Sequence, residues 1–288
     1  MTSRIKKSSA GYKAIKWVVF AIFVAYSLSL LIPFIWMFVS SFKSRGEYNL
    51  GNIFGFPKEW EFNNLIEVLK FEINGQAVWS MLLMSIVTTV LGTAINVGLS
   101  AISAYCVSKY KFPGRKLIYG AAIFTMIVPI VGTLPAQVKM METFGMMDSL
   151  IGVLFLYSGC FGFNFIMLYG AFETISWSYA EAAQMDGANR FQILFRIMLP
   201  IARGPIIAVC ILQAIVYWND YSTPFLFMNS VKTLAVGLQS LQNEMINREQ
   251  DYPMVFSAVM VAVIPVVILF ACFQKTIIKN TVAGGLKG

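Results

Sequence analysis

The chain has 288 residues, of which 58% are hydrophobic and only 12% are charged, with a formal net charge of +8 and a mean hydropathy of +0.69. Soluble domains carry about 25% charged residues, so this composition excludes an ordinary soluble enzyme and indicates an integral membrane protein. The sequence contains no His, the commonest general base and metal ligand, and we expect neither a catalytic residue nor a metal site.

Six apolar segments are long enough to cross a hydrocarbon core about 30 Å thick, which takes about 20 helical residues. We therefore predict an all-α protein with six transmembrane helices in one membrane domain, residues 1–288. The predicted spans are about 17–41, 76–107, 117–138, 149–171, 204–227 and 252–274, with an N-terminal segment 1–16 and a C-terminal tail 275–288. The first span is interpreted as retained, because its apolar run is long for a signal peptide and ends without an A-x-A site.

Basic residues set the predicted orientation, because Lys and Arg beside spans are retained in the cytoplasm. Most of the 22 Lys and Arg residues fall in the N-terminal segment, the second and fourth connections and the tail, where the only acidic residues are Glu173, Glu181 and Asp186. We therefore predict that both termini are cytoplasmic. This topology and contact with anionic lipid headgroups explain the positive charge, so the lipid bilayer is an expected partner and nucleic acid is not.

The first three spans and their connections carry local signals of their own. The outer segment 43–72 contains a candidate short amphipathic helix around Asn63 to Leu69. Small residues such as Gly92 and Gly98 line one side of the second span, which favours close helix packing. Pro129 and Pro135 bracket Gly132 in the third span and predict a bend or break there.

The connection 172–203 between the fourth and fifth spans is a polar, charged island. Ser178 and Glu181 have the spacing of a capping box, which predicts a helix beginning at Tyr179. Gly187 supplies the left-handed conformation that commonly ends a helix, so this first helix should be about two turns long.

A second helix should follow in the same connection. Asn189 and Gln192 repeat the capping pattern. Helical spacing predicts an apolar face that seats this helix on the membrane surface, formed by Phe191, Leu194, Phe195 and Met198. Pro200 should break the helix where the fifth span begins. The first helix is then either a docking element for a partner protein or a well-capped loop that contacts nothing.

A few polar side chains inside the spans are candidates for a translocation path. They are Asn164, Gln213, Trp218, Asn219, Asp220 and Tyr221. Amides, a carboxylate and aromatic rings suit a sugar, whose hydroxyls need hydrogen bonds while its C–H face packs on rings. The alternative, which we prefer, is that Trp218 and Tyr221 are interfacial anchors and that Asn219 and Asp220 hold a helix break before Pro224.

The island also carries a specific resemblance. Glu181-Ala182-Ala183, Gly187, Ile197 and Leu199-Pro200 match in order and spacing the EAA signature of the membrane subunits of bacterial binding-protein-dependent ABC importers. The sequence is similar to the carbohydrate branch, in particular to the smaller permease subunit of maltose-type transporters. The similarity extends over essentially the whole chain, including a Trp218-Asn219-Asp220-Tyr221 box and a glycine-rich tail, Ala283 to Gly288.

This resemblance implies a type I ABC importer permease architecture in the bacterial cell membrane. The implied partners are a second homologous permease subunit, two ATPase subunits, an extracytoplasmic sugar-binding protein and a carbohydrate substrate. The ATPase-coupling residues would be Tyr179, Glu181, Ala182, Ala183, Asp186 and Gly187. The chain lacks a G-x-x-x-x-G-K-[ST] phosphate loop, so we expect it to bind no cofactor and ATP and Mg to be bound by the ATPase subunits. The alternatives are an ion-coupled secondary transporter and a non-transporting membrane scaffold subunit.

Overall fold

The computed structural model describes residues 10–128 and 132–285. Pro129, the beginning of the N-terminal segment 1–16 and the last three residues of the tail 275–288 lie outside these described residues. The chain divides into two compact units, one formed by residues 1–69 and 242–261 and the other by residues 70–241 and 262–288. The single membrane domain over residues 1–288 stays a prediction.

Almost all regular structure is helical. In chain order the helices are α1 Ala10–Ser40, α2 Arg45–Asn49, α3 Asn63–Lys70, α4 Val78–Lys109, α5 Arg115–Ile127, α6 Leu134–Thr143, α7 Leu150–Tyr157, α8 Phe163–Thr174, α9 Ser178–Met185, α10 Arg190–Ile193, α11 Leu199–Ile201, α12 Arg203–Trp218, α13 Ser222–Phe227, α14 Leu234–Glu244 and α15 Tyr252–Gly285. Two π-helical segments are Leu194–Met198 and Met245–Glu249, and the strands β1 Glu72–Ile73 and β2 Gln76–Ala77 form an antiparallel hairpin in which Ile73 lies opposite Gln76. The short helix predicted around Asn63 to Leu69 is confirmed as α3.

Three of the described helices have the length and apolar composition of an unbroken membrane span: Gly11–Ser40, Val78–Lys109 and Tyr252–Gln274. Arg190–Ile201 and Arg203–Trp218 meet the same test only as a pair, bent by 76°. The segments predicted as the third and fourth spans each consist of two shorter helices. The sequence therefore predicted the apolar segments but not how many of them are interrupted.

The predicted third span is interrupted between Ile127, where α5 ends, and Leu134, where α6 begins, and the described part of this gap contains Gly132. This residue has φ +84°, and α6 begins at Leu134 with Pro135 in its first turn. A positive φ is readily adopted by glycine, and proline is well tolerated in the first turn of a helix because its missing N–H would have no helical partner there. The predicted break in the third span is confirmed.

The interruption of the predicted fourth span was not anticipated. Helix α7 ends at Tyr157 and α8 begins after Gly162, whose φ of +128° and ψ of −150° lie in a region of backbone space used almost only by glycine. The apolar sequence continues through the break, so hydropathy gives no sign of it.

Helix α4 is the centre of the unit formed by residues 70–241 and 262–288, and it packs against α7, α8 and α12. Its small side is buried in part: a Cβ on Gly92 would lie 2.7 Å from the ring of Tyr157 and 3.2 Å from the ring of Tyr217. A Cβ on Gly98, in contrast, would meet no atom of the described residues outside its own helix within 4 Å, and Gly98 lines an open apolar groove of about 390 Å³. The prediction of close packing therefore holds at Gly92 and not at Gly98.

The unit formed by residues 1–69 and 242–261 contains a buried lysine, Lys43. Lys43 has no exposed surface, and its Nζ donates to the carbonyl oxygens of Asn52 at 2.7 Å and Ile53 at 3.0 Å. Burial lowers the pKa of Lys43, and the nearby Glu47 carboxylate acts in the opposite direction. The side-chain amide of Asn64 donates to the Lys43 carbonyl at 2.9 Å, so this lysine ties α3 and the loop after α2 to the end of α1.

Candidate functional site

The island between α8 and α12 begins with the helix α9. This helix starts at Ser178, one residue earlier than predicted, with Trp177 as its N-cap residue and no side-chain cap. The predicted capping box of Ser178 and Glu181 is wrong, because Ser178 lies inside the first turn. Its amide instead donates to Oγ of Ser176 at 3.3 Å, and the two serine hydroxyls lie 2.8 Å apart.

The end of α9 agrees with the sequence prediction. Gly187 has φ +82°, its amide donates to the Gln184 carbonyl at 3.0 Å, and the amide of Ala188 donates to the Ala183 carbonyl at 2.9 Å. These two hydrogen bonds form a Schellman motif, which satisfies carbonyl groups that have no partner inside the helix. Helix α9 therefore has eight residues, about two turns, as predicted.

Helix α9 has one buried and one exposed face. Ala180 and Ala183 pack into the hydrophobic core of the unit, which also contains Phe172 and Met198. The exposed face carries most of the predicted coupling residues: Tyr179, Glu181, Ala182, Asp186 and Gly187. Of the predicted coupling residues, only Ala183 faces the core. Ala180 and Ala183 have small side chains, so α9 lies close to the core. The opposite face stays exposed as a narrow surface that a partner can contact.

Met185 adds an apolar side chain to the exposed face. It is 89% exposed, although a methionine on a helix that simply covered a core would be expected to turn inward. No motif or spacing in the sequence singles out Met185, and its functional interest comes from its exposure alone.

The second helix of the island begins as predicted. Oδ1 of Asn189 accepts from the Gln192 amide at 2.9 Å, and Oε1 of Gln192 accepts from the Asn189 amide at 2.8 Å, which confirms the capping box. After α10 the helix widens into the π-helical segment Leu194–Met198.

The predicted apolar face of this second helix is divided. Leu194 and Met198 are buried in the core, whereas Phe191 is 75% exposed and Phe195 55% exposed. The wider π-helical turn changes the angle between successive side chains, so the α-helical spacing used for the prediction does not apply through this segment. The prediction of one shared face is therefore wrong.

Pro200 does not break the helix. It lies in the first turn of α11, and the chain turns at Ala202 before α12 begins at Arg203. Proline is tolerated at such a first-turn position, so the bend appears two residues later than predicted.

A buried amide network occupies the middle of this unit. Nδ2 of Asn164 donates to Oδ1 of Asn96 at 2.8 Å and to Oε1 of Gln213 at 2.6 Å. The network joins α8, α4 and α12 at one level, and it brings together two of the candidate path residues, Asn164 and Gln213.

The same network satisfies the backbone of the interrupted fourth span. Nδ2 of Asn96 donates to the carbonyl oxygens of Tyr157 at 3.0 Å and Gly159 at 2.7 Å. Oγ of Ser100 donates to the Cys160 carbonyl at 3.0 Å. Unsatisfied carbonyl groups are costly inside a membrane, so these donors from α4 make the break tolerable. Asn96 and Ser100 were not among the predicted site residues.

Asp220 joins two helix breaks. Its Oδ1 accepts from the Thr223 amide at 3.1 Å at the start of α13, and its Oδ2 accepts from the hydroxyl of Tyr157 at 2.8 Å. The rings of Tyr157 and Tyr217 stack with centroids 3.8 Å apart, and the Tyr217 hydroxyl donates to the Tyr157 carbonyl at 3.1 Å. A helix break at residues 219–221, which our preferred interpretation predicts, is present.

The other residues of the box have separate contacts. Nε1 of Trp218 donates to the Ala262 carbonyl of α15 at 3.1 Å. Nδ2 of the exposed Asn219 donates to the Ile215 carbonyl at 2.8 Å. Tyr221 stacks on Phe225 with centroids 5.0 Å apart. The structure therefore places the path candidates in two groups, one at the amide network and one at the break in the fifth span.

A second polar contact joins two loops outside the spans. Asp148 precedes α7 with φ +54°, and its carboxylate accepts from the amide of Ser230 at 2.7 Å and from the Ser230 hydroxyl. These hydrogen bonds, chiefly the one from the hydroxyl, hold the pKa of Asp148 below its ordinary value.

Comparison with known proteins places these features in a family. Residues 96–281 match the family described as binding-protein-dependent transport system inner membrane component. The chain is 27% identical to the diacetylchitobiose uptake system permease protein of Streptomyces coelicolor over 92% of this chain and 86% of that protein. It is 30% identical to the arabinooligosaccharides transport system permease protein of Bacillus subtilis over 92% of this chain and 94% of that one.

The chain is also similar to a solved structure. A chain in the crystal structure of a bacterial ABC transporter involved in the import of the acidic polysaccharide alginate superposes with a TM-score of 0.79 and is 27% identical. The superposition covers 93% of this chain and 98% of that chain. The family match over residues 96–281 includes the amide network and the island between α8 and α12.

Proposed function

The chain belongs to the family of binding-protein-dependent transport system inner membrane components, and we propose that it is a permease subunit of an ATP-driven carbohydrate importer. The observation that carries this proposal is the family match over residues 96–281, which contains the two-turn helix α9 with its exposed face and its Schellman motif at Gly187. The protein is a multi-pass protein of the bacterial inner membrane.

The carbohydrate class is supported by the relatives. Their names specify diacetylchitobiose and arabinooligosaccharides, and the solved structure belongs to a transporter of alginate. These substrates differ in charge and in sugar type, but all are built from linked sugar units. An oligosaccharide is therefore the proposed substrate class.

We propose six spans with both termini in the cytoplasm. The three unbroken helices, the bent pair and the two interrupted apolar segments together provide six crossings, if each interrupted segment counts once. The concentration of Lys and Arg in the N-terminal segment, the second and fourth connections and the tail supports the orientation.

ATP hydrolysis is assigned to partner subunits. The sequence has no phosphate-loop motif, so ATP and Mg would bind to two ATPase subunits, and this chain would bind neither. A second homologous permease would complete the path, and an extracytoplasmic sugar-binding protein would deliver the substrate. The family description, which names binding-protein dependence, supports the last of these partners.

Helix α9 is the proposed joint with the ATPase. Tyr179, Glu181, Ala182 and Asp186 would contact the partner, since their side chains are exposed. Ala183 seats the helix on the core and Gly187 ends it. ATP-driven closure of the partner would displace α9, and the spans attached to it would move between inward-open and outward-open states.

The translocation path is proposed along the two polar groups. Gln213 and Asn164 would present amides near the break in the fourth span, and Trp218, Asn219 and Tyr221 would lie near the break in the fifth. The proposed role of Asp220 is chiefly structural, because each of its carboxylate oxygens accepts a hydrogen bond from a residue at a helix break.

The family match favours the importer over an ion-coupled carrier or a non-transporting scaffold. An ion-coupled carrier usually needs carboxylates inside its spans, and the one within a predicted span, Asp220, is held by Tyr157 and Thr223.

The test is purification of the tagged full chain from its own membrane, followed by reconstitution of the complex in proteoliposomes. Co-purification of an ATPase and a second permease, with ATP-dependent uptake of labelled diacetylchitobiose, arabinotriose or alginate trisaccharide in the presence of the sugar-binding protein, is the expected result. Purification of the chain without an ATPase would overturn the proposal.

A further inference from the structure

Tyr110 contacts the island on both sides of α9. This residue caps the C-terminus of α4. Its ring meets that of Trp177, the residue before α9, edge to face with centroids 5.7 Å apart. The guanidinium carbon of Arg190, the first residue of α10, lies 5.9 Å from the Tyr110 ring centroid. One side chain at the end of the second span therefore connects the two flanks of the proposed coupling helix.

Tyr110 is itself fixed to the core. Its ring packs edge to face on Tyr105 with centroids 5.6 Å apart, and the two hydroxyls lie 3.3 Å apart. Tyr105 is buried and meets the ring of Phe172 in α8, with centroids 5.7 Å apart. A continuous set of ring contacts thus runs from α8 through α4 to the residue that precedes α9.

Neighbouring basic residues join the same ends of α4 and α8. Nζ of Lys109 donates to the Ile175 carbonyl at 2.5 Å, at the C-terminal end of α8. Arg115 donates to the Ser108 carbonyl at 3.1 Å and to the Tyr169 hydroxyl at 3.2 Å. These hydrogen bonds fix α8 to α4 and do not reach the island, so among these residues Tyr110 is the one that contacts both flanks of α9.

We propose that Tyr110 is a positioning residue for coupling, which holds α9 at a fixed angle to α4 so that displacement of α9 by the ATPase moves the second span. The inference rests on the proposed function of α9. Gly187 at one end of the helix has the backbone freedom to absorb a displacement locally. The Tyr110 ring is fixed to the core and contacts Trp177 and Arg190. These contacts prevent the backbone at Gly187 from taking up the displacement of α9.

The experiment uses the complete complex in proteoliposomes. It measures both ATP hydrolysis and the uptake of labelled diacetylchitobiose, arabinotriose or alginate trisaccharide. Tyr110→Ala removes the ring, Tyr110→Leu keeps apolar volume without an aromatic face, and Tyr110→Phe keeps the ring and loses only the hydroxyl. Phe112→Ala is the matched control, because Phe112 is an exposed ring in the same connection. All values are normalised to the amount of assembled complex.

We expect Tyr110→Ala and Tyr110→Leu to lower the number of sugars transported per ATP hydrolysed by about fivefold or more, a typical size for coupling between sites. Tyr110→Phe and Phe112→Ala should keep the wild-type ratio. A purely structural role would reduce the amount of complex and leave the ratio unchanged, and that result in Tyr110→Ala or Tyr110→Leu would overturn the inference while the proposed function stands. Failure of the wild-type complex to hydrolyse ATP or to take up sugar would instead overturn the proposed function, and this inference with it.

Discussion

The hydroxyl of Tyr157 donates a 2.8 Å hydrogen bond to Oδ2 of Asp220, so the last residue of α7 is tied to the break between α12 and α13. The carbonyl of the same tyrosine accepts from Asn96 and Tyr217. One residue therefore holds the interruption of the fourth span and that of the fifth span in a common arrangement.

Tyr157→Phe should destabilise the protein by about 1–3 kcal/mol, because it leaves a half-buried carboxylate oxygen without its donor. The thermal midpoint of the purified protein in detergent measures this effect. Tyr26→Phe, on the exposed surface of α1, is the control and should leave the midpoint unchanged. An unchanged midpoint in Tyr157→Phe would show that the Asp220 carboxylate finds another partner.

Asp220→Ala separates the structural interpretation of this residue from the path interpretation. Because Asp220 holds two helix breaks, we expect the amount of folded protein in the membrane and the sugar uptake to fall by the same factor. Quantitative immunoblotting and uptake in the same membranes measure both. A loss of uptake well beyond the loss of protein would place Asp220 on the path.

Gly92→Ala should destabilise the protein by about 1–3 kcal/mol, the usual cost of overpacking. The new methyl group would lie 2.7 Å from the ring of Tyr157, which is held by its stack with Tyr217. Gly98→Ala on the same helix is the matched control: in the described part of the chain its methyl group meets no atom of another element within 4 Å, and alanine is the better helix former, so the thermal midpoint should stay or rise. Equal effects of the two changes would contradict the packing described for α4.

Gly187→Ala should weaken coupling without a steric clash. Apart from its chain neighbours, no atom of residues 10–128 and 132–285 lies within 4 Å of a Cβ at this position, so the cost is that of a left-handed backbone in a residue with a side chain, about 1–2 kcal/mol. We expect less ATPase co-purified with the chain and a lower sugar uptake, and Gly187→Asn should be milder because asparagine tolerates this conformation. Gly120→Ala, in open space within α5, is the control. Normal ATPase association and normal uptake in Gly187→Ala would count against the docking role of α9.

Acid should weaken the contact between Asp148 and Ser230. The pKa of Asp148 is lower in the folded protein than in the unfolded chain, so its stabilising contribution is fully present above the unfolded pKa and is lost as the pH falls through the folded pKa. Thermal midpoints of wild type and Asp148→Asn should therefore differ at neutral pH and converge in acid. The difference should be small because the carboxylate is exposed. A difference that does not change with pH would show that the charge is not involved.

The parts of the island that could be predicted from sequence are those set by neighbouring residues. The end of α9 at Gly187 and the box of Asn189 and Gln192 depend only on residues within a few positions of each other. The start of α9 was displaced by one residue: the Ser178 amide donates to Oγ of Ser176, and the Glu181 amide donates to the Trp177 carbonyl and not to the Ser178 hydroxyl. A local pattern gives the presence of a helix more reliably than its first residue.

The interruption of the fourth span could not be predicted in the same way. Its donors, Asn96 and Ser100, are about sixty residues away from the carbonyl groups they satisfy. Nothing in the apolar run itself distinguishes a continuous helix from one whose gap is filled by side chains of another span. The role of Tyr110 is hidden for the same reason, because its contacts with Trp177 and Arg190 exist only after α4 and the island are folded together.

The gap at Gly162 also bears on how this sequence can change through evolution. An alanine at Gly162 would close off the backbone conformation that the gap requires, and a continuous helix there would leave the donors of Asn96 and Ser100 without their acceptors. The hydrogen bonds of Asn96 and Ser100 to the fourth span therefore depend on the gap at Gly162, and the gap depends on these two donors. A substitution at any one of these three positions should therefore be accompanied, in related sequences, by compensating substitutions at the other two.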